Sequence, residues 1–194
     1  MAKKIVITGG LGYIGTELCK IYSGVSWNNK VIVVDNRFIS ERVHQLRSWN
    51  IDFVHGDILD KDLVNKYCKD ADIVHHLAGI TDVPRLKSES SEDKDAKIKL
   101  VAEKGTQNIL NAINDKCKII FPSTHVVYEG IEKVKNDILE DEHAKPILSY
   151  ASSKVINEKQ LKNSGKNYII LRLGSVYGYS TDTVRIDIMP NLFS

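Results

Sequence analysis

The chain has 194 residues, a formal net charge of +2 and 42% apolar residues, which suits one packed domain, or one domain and part of another. Because the charge is small and acids interrupt the basic runs, we expect neither nucleic acid nor an anionic membrane surface as a partner. No apolar run approaches the roughly 20 residues of a membrane-spanning helix, and the N-terminus lacks a signal-peptide pattern, so we expect a cytoplasmic protein.

Short β-branched runs alternate with helical patterns along the chain. Most of these runs are continuously apolar, which is typical of strands buried on both faces of a parallel sheet. The predicted strands are Ile5–Thr8, Val31–Asp35, Asp52–His55, Ile73–Leu77, Ile119–Pro122 and Tyr168–Leu173. In the segments between these strands, apolar residues recur at helical spacing. They are Ile14, Leu18 and Ile21, then Leu63, Val64 and Tyr67, then Ile98, Val101, Ile109 and Ile113. This alternation predicts an α/β fold built on a doubly wound parallel sheet.

Two segments and the cysteines fall outside this alternation. The charged run Lys87–Lys99 predicts an exposed loop that leads into a helix. The last stretch, Gly178–Ser194, matches no complete element, and we expect a further subdomain to begin there. Cys19, Cys68 and Cys117 are far apart and have no metal-ligand spacing, so they are interpreted as buried reduced thiols, and no metal site is predicted.

A glycine-rich loop, T-G-G-L-G-Y-I-G at residues 8–15, lies between the first strand and the first helix. Two registers fit, one with Gly10, Gly12 and Gly15 and one with Gly9, Gly12 and Gly15. In either register the glycines permit a tight turn, close approach of the backbone to a pyrophosphate, and close packing of helix on sheet. The positive end of the helix dipole then faces the phosphates.

Asp35 closes the second predicted strand, twenty positions after Gly15. A carboxylate at this position can accept hydrogen bonds from the hydroxyls of an adenosine ribose and repels a 2′-phosphate, which favours NAD over NADP. Nearby Arg37 could soften that preference. The alternative is that Asp35 serves as a turn residue at the end of a strand.

A candidate catalytic set follows later in the chain. Tyr150 and Lys154 are four residues apart and share a face if they lie on a helix. An ammonium beside a phenol stabilises the phenolate, which can exchange a proton with a sugar hydroxyl while hydride moves to or from a nicotinamide. Thr124 or Ser123, at the carboxyl end of a predicted strand, could bond the same substrate oxygen. The alternative is that Tyr150 and Lys154 are simply exposed on a helix.

Together these residues resemble the extended short-chain dehydrogenase/reductase superfamily, in particular the NAD-dependent epimerase/dehydratase family of nucleotide-sugar enzymes similar to UDP-glucose 4-epimerase. The resemblance covers nearly the whole chain. It is carried by the loop at residues 8–15, Asp35-Asn36, Gly56-Asp57-Ile58, H-L-A-G at 76–79, Ser123-Thr124 with Val127-Tyr128, Y-A-S-S-K at 150–154 and L-R-L-G-S-V-Y-G at 171–178.

The resemblance implies a Rossmann fold over residues 1–178, the start of a C-terminal substrate domain over 179–194, and the site residues. It implies that Gly9, Gly12, Tyr13, Ile14 and Gly15 hold the pyrophosphate of NAD, Asp35 and Asn36 the adenosine ribose, Asp57 and Ile58 the adenine, and Leu77, Ala78 and Gly79 the middle of the cofactor. It also implies Thr124 as a catalytic hydroxyl, Tyr150 as the acid/base, and Lys154 as a nicotinamide-ribose ligand that tunes Tyr150.

The sequence departs from the family pattern beside Thr124. Dehydratases of the family carry an Asp-Glu pair directly after the catalytic threonine, and decarboxylating relatives keep the Glu. Here these positions hold His125 and Val126, and valine cannot exchange a proton, so this kind of dehydration or decarboxylation is disfavoured. His125 is a candidate for proton transfer or substrate contact, since imidazole titrates near neutral pH; local packing is the alternative.

Two asparagines of the family pattern are also replaced. Val101 and Ala102 stand where a helix asparagine commonly precedes Gly105-Thr106, and Ser175 stands where the N-V-Y-G-P motif begins. Ser123, His125 and Ser175 are therefore the candidate substrate contacts.

The sequence thus predicts an NAD-dependent nucleotide-sugar epimerase that oxidises a sugar carbon transiently, at C4. Two alternatives stay open: a non-catalytic or truncated NAD-binding module, and an NAD-dependent reductase or dehydrogenase of a non-nucleotide substrate. Relatives often pair through two helices per subunit, so a homodimer through Glu92–Asn114 and Tyr150–Asn163 is expected.

Overall fold

The computed structural model describes residues 2–81, 91–133, 135–178 and 180. A six-stranded parallel sheet forms its centre, with strand order β3-β2-β1-β4-β5-β6. In chain order the strands are β1 (Lys4–Thr8), β2 (Lys30–Asp35), β3 (Asp52–His55), β4 (Ile73–His76), β5 (Lys118–Thr124) and β6 (Asn167–Leu173). The doubly wound α/β fold is therefore confirmed, and each predicted strand is present within two residues at either end.

Helices cover both faces of the sheet. They are α1 (Tyr13–Ser23), α2 (Ser40–Ser48), α3 (Lys61–Cys68), α4 (Glu92–Leu100), α5 (Thr106–Ala112) and α6 (Ser149–Asn163). A π-helical turn, Val101–Gly105, joins α4 to α5, and a 3₁₀ turn, His125–Tyr128, follows β5. Helix α2 has no counterpart among the predicted helices, because it buries only Val43 and Leu46 and shows little apolar periodicity.

Two apolar clusters form the core, one on each face of the sheet. On one face α1 and α2 pack against residues such as Ile7 and Val33. On the other face α3, α5 and α6 pack against residues such as Phe121 and Ile119. The three cysteines lie in these clusters, and burial raises the pKa of Cys19 and Cys68 to about 12 and that of Cys117 to about 11. These thiols are therefore protonated and packed as small apolar side chains.

The predicted loop Lys87–Lys99 requires a correction. Residues 82–90 lie outside the described residues, but α4 already begins at Glu92. Ser91 caps this helix by accepting a hydrogen bond from the Lys94 amide, and three acids occupy the first turn. Because negative charge stabilises the N-terminal end of a helix, the acids that suggested a solvated loop instead favour a helix start.

The predicted second domain, residues 179–194, lies outside the described residues except for Ser180. Within the described ranges, no helix combines the length and the apolar character required to cross a bilayer. The strand order reverses between β1 and β4, and ligands of open α/β sheets bind at the carboxyl ends of the strands at such a point.

Candidate active site

A cleft of about 1080 Å³ lies at the carboxyl ends of the strands. Its walls come from the loops after all six strands and from the start of α6. Seventeen of the eighteen predicted site residues line this cleft, and the eighteenth, His125, is not among its described lining residues. The predicted residues in the lining are Gly9, Gly12, Tyr13, Ile14, Gly15, Asp35, Asn36, Asp57, Ile58, Leu77, Ala78, Gly79, Ser123, Thr124, Tyr150, Lys154 and Ser175.

The glycine-rich loop forms the floor of the cleft where β1 meets α1. Gly9 has a positive φ of 71°, and a Cβ on it would lie 2.7 Å from the Ala78 amide nitrogen. A Cβ on Gly15 would lie 2.6 Å from the Gly9 carbonyl oxygen. Of the two possible registers, the one that begins at Gly9 contains this positive φ, and a Cβ on its first or last glycine would lie within 3 Å of backbone.

The first turn of α1 is suited to an anion. Gly12 is its N-cap, no side chain caps this end, and no acid stands in the first turn. The first N–H groups of a helix have no acceptor within the helix, and the helix dipole places partial positive charge beside them. The N–H groups at this end of α1 can therefore bind a pyrophosphate, while the glycines allow the close backbone packing that forms the turn.

Asp35 lies at the carboxyl end of β2 and is 4% exposed. Its carboxylate accepts the amide N–H groups of Leu11 and Arg37, each at 3.0 Å. The Arg37 guanidinium, half exposed, contacts the same two oxygens at 3.2 and 3.3 Å. Asp35 thus organises the local turn, as the alternative interpretation required, and also presents its carboxylate to the cleft.

The loop after β3, where the adenine contacts are predicted, is held by side chains that the sequence did not single out. Asn108 on α5 donates to the Ile58 and Leu59 carbonyls, at 2.9 and 3.2 Å. A Cβ on Gly105, in the π-helical turn, would lie 2.3 Å from Ile58 Cδ1. The loop after β3 is therefore fixed from behind by α5, while Asn36 bridges to Asp57 at 3.0 Å across its front.

Tyr150 and Lys154 stand on the first turns of α6, as their spacing predicted. Lys154 is 9% exposed; its Nζ donates to the Pro122 carbonyl at 2.9 Å and lies 4.6 Å from the centre of the Phe121 ring. The same Nζ lies 5.6 Å from the centre of the Tyr150 ring. Burial disfavours the charged ammonium and lowers the pKa of Lys154 to about 8, so the ammonium stays charged at neutral pH.

Thr124 ends β5 and is 7% exposed. Its Oγ1 accepts the Val126 amide at 3.3 Å and so begins the 3₁₀ turn. A hydroxyl in this role keeps its own proton available for a substrate oxygen in the cleft. The structure therefore brings Thr124, Tyr150 and Lys154 to the same end of the cleft.

The three candidate substrate contacts lie in different surroundings. Ser175 is exposed and lines the cleft. Ser123 is 3% exposed and donates its hydroxyl to Glu158 at 2.6 Å, so its donor is committed to the protein interior. His125 is exposed, its Nδ1 lies 3.1 Å from the Leu173 carbonyl, and it is not among the described residues that line the cleft.

A buried polar chain under the cleft escaped the sequence analysis. The His76 ring lies 3.0 Å from Thr8 Oγ1 and 2.9 Å from Thr106 Oγ1, and Asn157 on α6 donates to Thr106 at 3.0 Å. Burial and the neighbouring Lys154 charge lower the pKa of His76 to about 3, so the imidazole is neutral. The chain ties β1, β4, α5 and α6 together. The available signal was a pair of histidines, His75 and His76, at the end of a short strand that begins with two apolar residues.

Glu158 and Arg172 also escaped the sequence analysis. Glu158 stands four residues after Lys154 on α6, and Arg172 stands on β6. Their carboxylate and guanidinium form two bonds, at 3.0 and 2.6 Å, and neither side chain is more than 14% exposed. An arginine between leucines in a predicted strand and an acid on the lysine face of a helix were the signals that could have found them.

Comparisons with known proteins agree with this geometry. The sequence profile of the NAD dependent epimerase/dehydratase family matches residues 5–191. CDP-paratose 2-epimerase of Salmonella typhi is 36% identical over 143 residues, which is 68% of this chain and 40% of that protein. UDP-N-acetyl-alpha-D-glucosaminuronate decarboxylase of Bacillus cytotoxicus is 32% identical over 186 residues, which is 92% of this chain and 56% of that protein.

A solved structure extends the comparison to the fold. UDP-glucose 4-epimerase from Brucella ovis, crystallised with NAD, superposes with a TM-score of 0.73 at 30% identity, covering 93% of this chain and 55% of that one. The chain thus spans about half the length of the relatives it matches.

Proposed function

Because the chain belongs to the NAD dependent epimerase/dehydratase family, we propose that its cleft binds NAD and that it belongs to an epimerase acting on a nucleotide-sugar. The observation that carries this proposal is the convergence of Thr124, Tyr150 and Lys154 at one end of a cleft that has a glycine cradle on its floor. Relatives of both kinds, epimerases and a decarboxylase, match the chain, so the reaction type rests on this chain's own residues.

The residues of the cleft fit NAD. The cradle formed by Gly9, Gly12 and Gly15 has room for a pyrophosphate but not for a Cβ at two of its three positions. The Asp35 carboxylate lines the cleft at the carboxyl end of β2, where it would hold an adenosine ribose with free hydroxyls and disfavour a 2′-phosphate. Lys154, on the opposite side, would hold the nicotinamide ribose.

NAD supplies the acceptor and donor of hydride when it is bound. Tyr150, as a phenolate, removes the proton of a sugar hydroxyl, at C4 in this proposal, and returns it when the sugar is reduced on the other face. The Lys154 ammonium beside the ring favours the phenolate, and it remains charged below pH 8. Thr124 donates a hydrogen bond to the reacting oxygen. Since hydride returns to the sugar, no NAD is consumed.

Epimerisation is favoured over dehydration by the residues after Thr124. An acid placed there could remove water from the sugar ring, but the positions hold His125 and Val126. Val126 contributes its amide to Thr124, and His125 bonds to the backbone of β6. Neither places a carboxylate beside Thr124.

The substrate and the assembly are extensions of the same proposal. Ser175 lines the cleft at its substrate end and is the best-placed of the three candidate contacts. The homodimer would form through α4–α5 and α6.

The test replaces Tyr150 by Phe and compares it with a matched variant, Tyr168→Phe, which removes a phenol from β6, outside the described lining of the cleft. Each protein is incubated with NAD⁺ and a panel of nucleotide-sugars that includes UDP-glucose. Sugar products are followed by NMR and NADH by absorbance. General acid–base catalysis contributes about 10²- to 10⁴-fold, so Tyr150→Phe should lose roughly that factor, while Tyr168→Phe keeps the parent rate.

Each remaining outcome decides against the proposal in a different way. Net formation of NADH would identify a dehydrogenase, because an epimerase shows none. Tight NAD⁺ binding without conversion of any sugar would identify a non-catalytic NAD-binding module. Unchanged turnover in Tyr150→Phe would remove the acid–base role of the phenol.

A further inference from the structure

A cluster of buried and partly buried polar side chains lies behind the cleft, between β5, β6 and α6. We call it the Glu158 cluster; its members are Ser123, Tyr128, Glu158 and Arg172. Glu158 is 3% exposed, accepts the Ser123 hydroxyl at 2.6 Å and is held by Arg172 through two bonds. Arg172 also donates to the Tyr128 hydroxyl and, at 2.8 Å, to the Glu140 carbonyl.

Stability alone does not account for this cluster. Burying two charges costs several kcal/mol per ion, and apolar residues of similar volume often stabilise a core as well or better. Burial opposes ionisation of Glu158, but hydrogen bonds from Arg172 and Ser123 and the Arg172 charge hold the pKa of Glu158 below its ordinary value. The carboxylate is therefore kept ionised inside the protein, in a fixed orientation.

Each contact of the cluster reaches a segment that carries a candidate catalytic residue. Ser123 directly precedes Thr124 and pairs with Arg172 in the β5–β6 register. Glu158 stands on α6, one turn after Lys154. Tyr128 ends the 3₁₀ turn that Thr124 begins, and its hydroxyl donates to the Leu139 carbonyl at 3.1 Å. With Arg172 bound to Glu140, the cluster also holds the segment that leads to Tyr150.

We propose that the Glu158 cluster is the positioning element of the catalytic site: Glu158 holds the Thr124 end of β5 at a fixed distance from the face of α6 that carries Tyr150 and Lys154. This inference rests on the proposed function, since it gives Thr124, Tyr150 and Lys154 their roles. Neither Glu158 nor Arg172 is itself among the described residues that line the cleft, so they act through the residues that they hold, Ser123 first among them.

The action on Lys154 follows from chain geometry. The carbonyl that accepts the Lys154 ammonium belongs to Pro122, the residue before Ser123. Tethering Ser123 to Glu158 therefore fixes both partners of the Lys154 bond, the carbonyl on β5 and the lysine on α6. Without the tether, the end of β5 can move away from α6 and admit water to the ammonium.

Two variants release the tether to different degrees. Glu158→Gln removes the charge with little change in shape, and Ser123→Ala removes only the hydroxyl that joins β5 to α6. Leu161→Val, on the same helix and fully buried in the apolar core, is the matched control because it loosens packing without touching a polar contact.

The readout is the titration of Lys154, followed by NMR on protein labelled with ¹³C-lysine and assigned with Lys154→Arg. In the parent the pKa of Lys154 is about 8. The ring facing it, His76, has a pKa of about 3 and stays neutral throughout. In Glu158→Gln and Ser123→Ala we expect the midpoint to rise toward its ordinary value of 10.5, by roughly one pH unit or more. Leu161→Val should leave it unchanged.

A fall in melting temperature with an unmoved Lys154 midpoint would overturn the proposal, because it would show that the cluster only stabilises the fold. If Glu158→Gln does not fold, Ser123→Ala decides alone. A higher Lys154 midpoint in that variant supports the tether, and an unchanged midpoint refutes it. NAD⁺ binding, measured on the same samples, keeps the two proposals separate. A parent that binds no NAD⁺ contradicts the proposed function, whatever the Lys154 titration shows.

Discussion

The two halves of the sheet form the cleft by different means. In the nucleotide half, β1 to β3, a glycine cradle and the open end of α1 contribute backbone to the walls, beside the Asp35 carboxylate. In the catalytic half, β4 to β6, the walls are supported by largely buried polar side chains, among them Lys154, Glu158 and Arg172. The nucleotide half therefore depends mainly on closely packed glycines, and the catalytic half on the exact partners of a few charges.

This difference matches what each half is proposed to do. A pyrophosphate is the same in every dinucleotide, so fixed N–H groups and a helix dipole suffice to hold it. Proton transfer needs a charge at a defined place beside a particular ring, and a charge in a low-dielectric interior acts strongly only if its partners fix it. Substitutions in the two halves should therefore impair the protein for different physical reasons.

The largest expected effect concerns the buried Lys154, whose loss should stabilise the fold. Its pKa in the folded protein, about 8, lies below the ordinary 10.5. Between these values the unfolded chain binds more protons than the folded one, so the free energy of unfolding rises with pH across this window. Below pH 8 the folded protein carries the full cost of burying the charged ammonium, about 3 kcal/mol at 1.36 kcal/mol per pKa unit. Lys154→Met should therefore unfold at higher denaturant near pH 7, with the advantage shrinking toward pH 10.5.

Urea unfolding of both proteins at several pH values between 7 and 10.5 measures this directly. Lys162→Met is the matched control, since Lys162 stands on the same helix with half of its side chain exposed. Its difference from the parent should not change with pH. If Lys154→Met is destabilised at pH 7, the contacts of the ammonium with Pro122 and Phe121 outweigh the cost of burying it.

The next effect concerns the glycine cradle of the nucleotide half. Gly15→Ala adds a Cβ that would lie 2.6 Å from the Gly9 carbonyl and 2.7 Å from Gly10 Cα, so the loop must shift. Overpacking of this kind costs about 1–3 kcal/mol, and we expect NAD⁺ affinity to fall roughly 10- to 100-fold in calorimetry. Gly24→Ala, at the other end of α1, meets its first atom at 3.7 Å and should bind like the parent. Equal binding by both variants would show that the cradle does not contact the cofactor.

The same division explains how far the sequence could predict the molecule. The strands and the glycine cradle were predictable because their signals are local: continuous apolar runs, and glycines within eight residues. Helix α2 was missed because two buried side chains give too weak a period. The start of α4 was interpreted as a loop because its acidic residues were considered without Ser91, the residue that caps the helix.

The supports of the catalytic half were missed for another reason. Ser123, Glu158 and Arg172 are separated by up to 49 positions along the chain, and only the pairing of β5 with β6 and the packing of α6 bring them together. Nothing in the neighbourhood of Arg172 in the sequence states that its partner is Glu158. For the same reason, the commitment of the Ser123 hydroxyl to Glu158 could not be foreseen from its place beside Thr124.

The smallest expected effect tests the charge pair of the nucleotide half, Arg37 with Asp35. Unlike the Glu158–Arg172 pair, it is half exposed on the arginine side and its side-chain bonds are long, at 3.2 and 3.3 Å. Exposed pairs contribute about 0–1 kcal/mol, so Arg37→Ala should change NAD⁺ affinity by less than roughly fivefold. It should weaken NADP⁺ more than NAD⁺, because the Asp35 charge that repels a 2′-phosphate is then no longer offset. Calorimetry with both nucleotides on parent and variant measures the ratio. A loss of NAD⁺ binding as large as that of Gly15→Ala would mean that the nucleotide half, too, depends on a fixed charge, and the contrast between the halves would not hold.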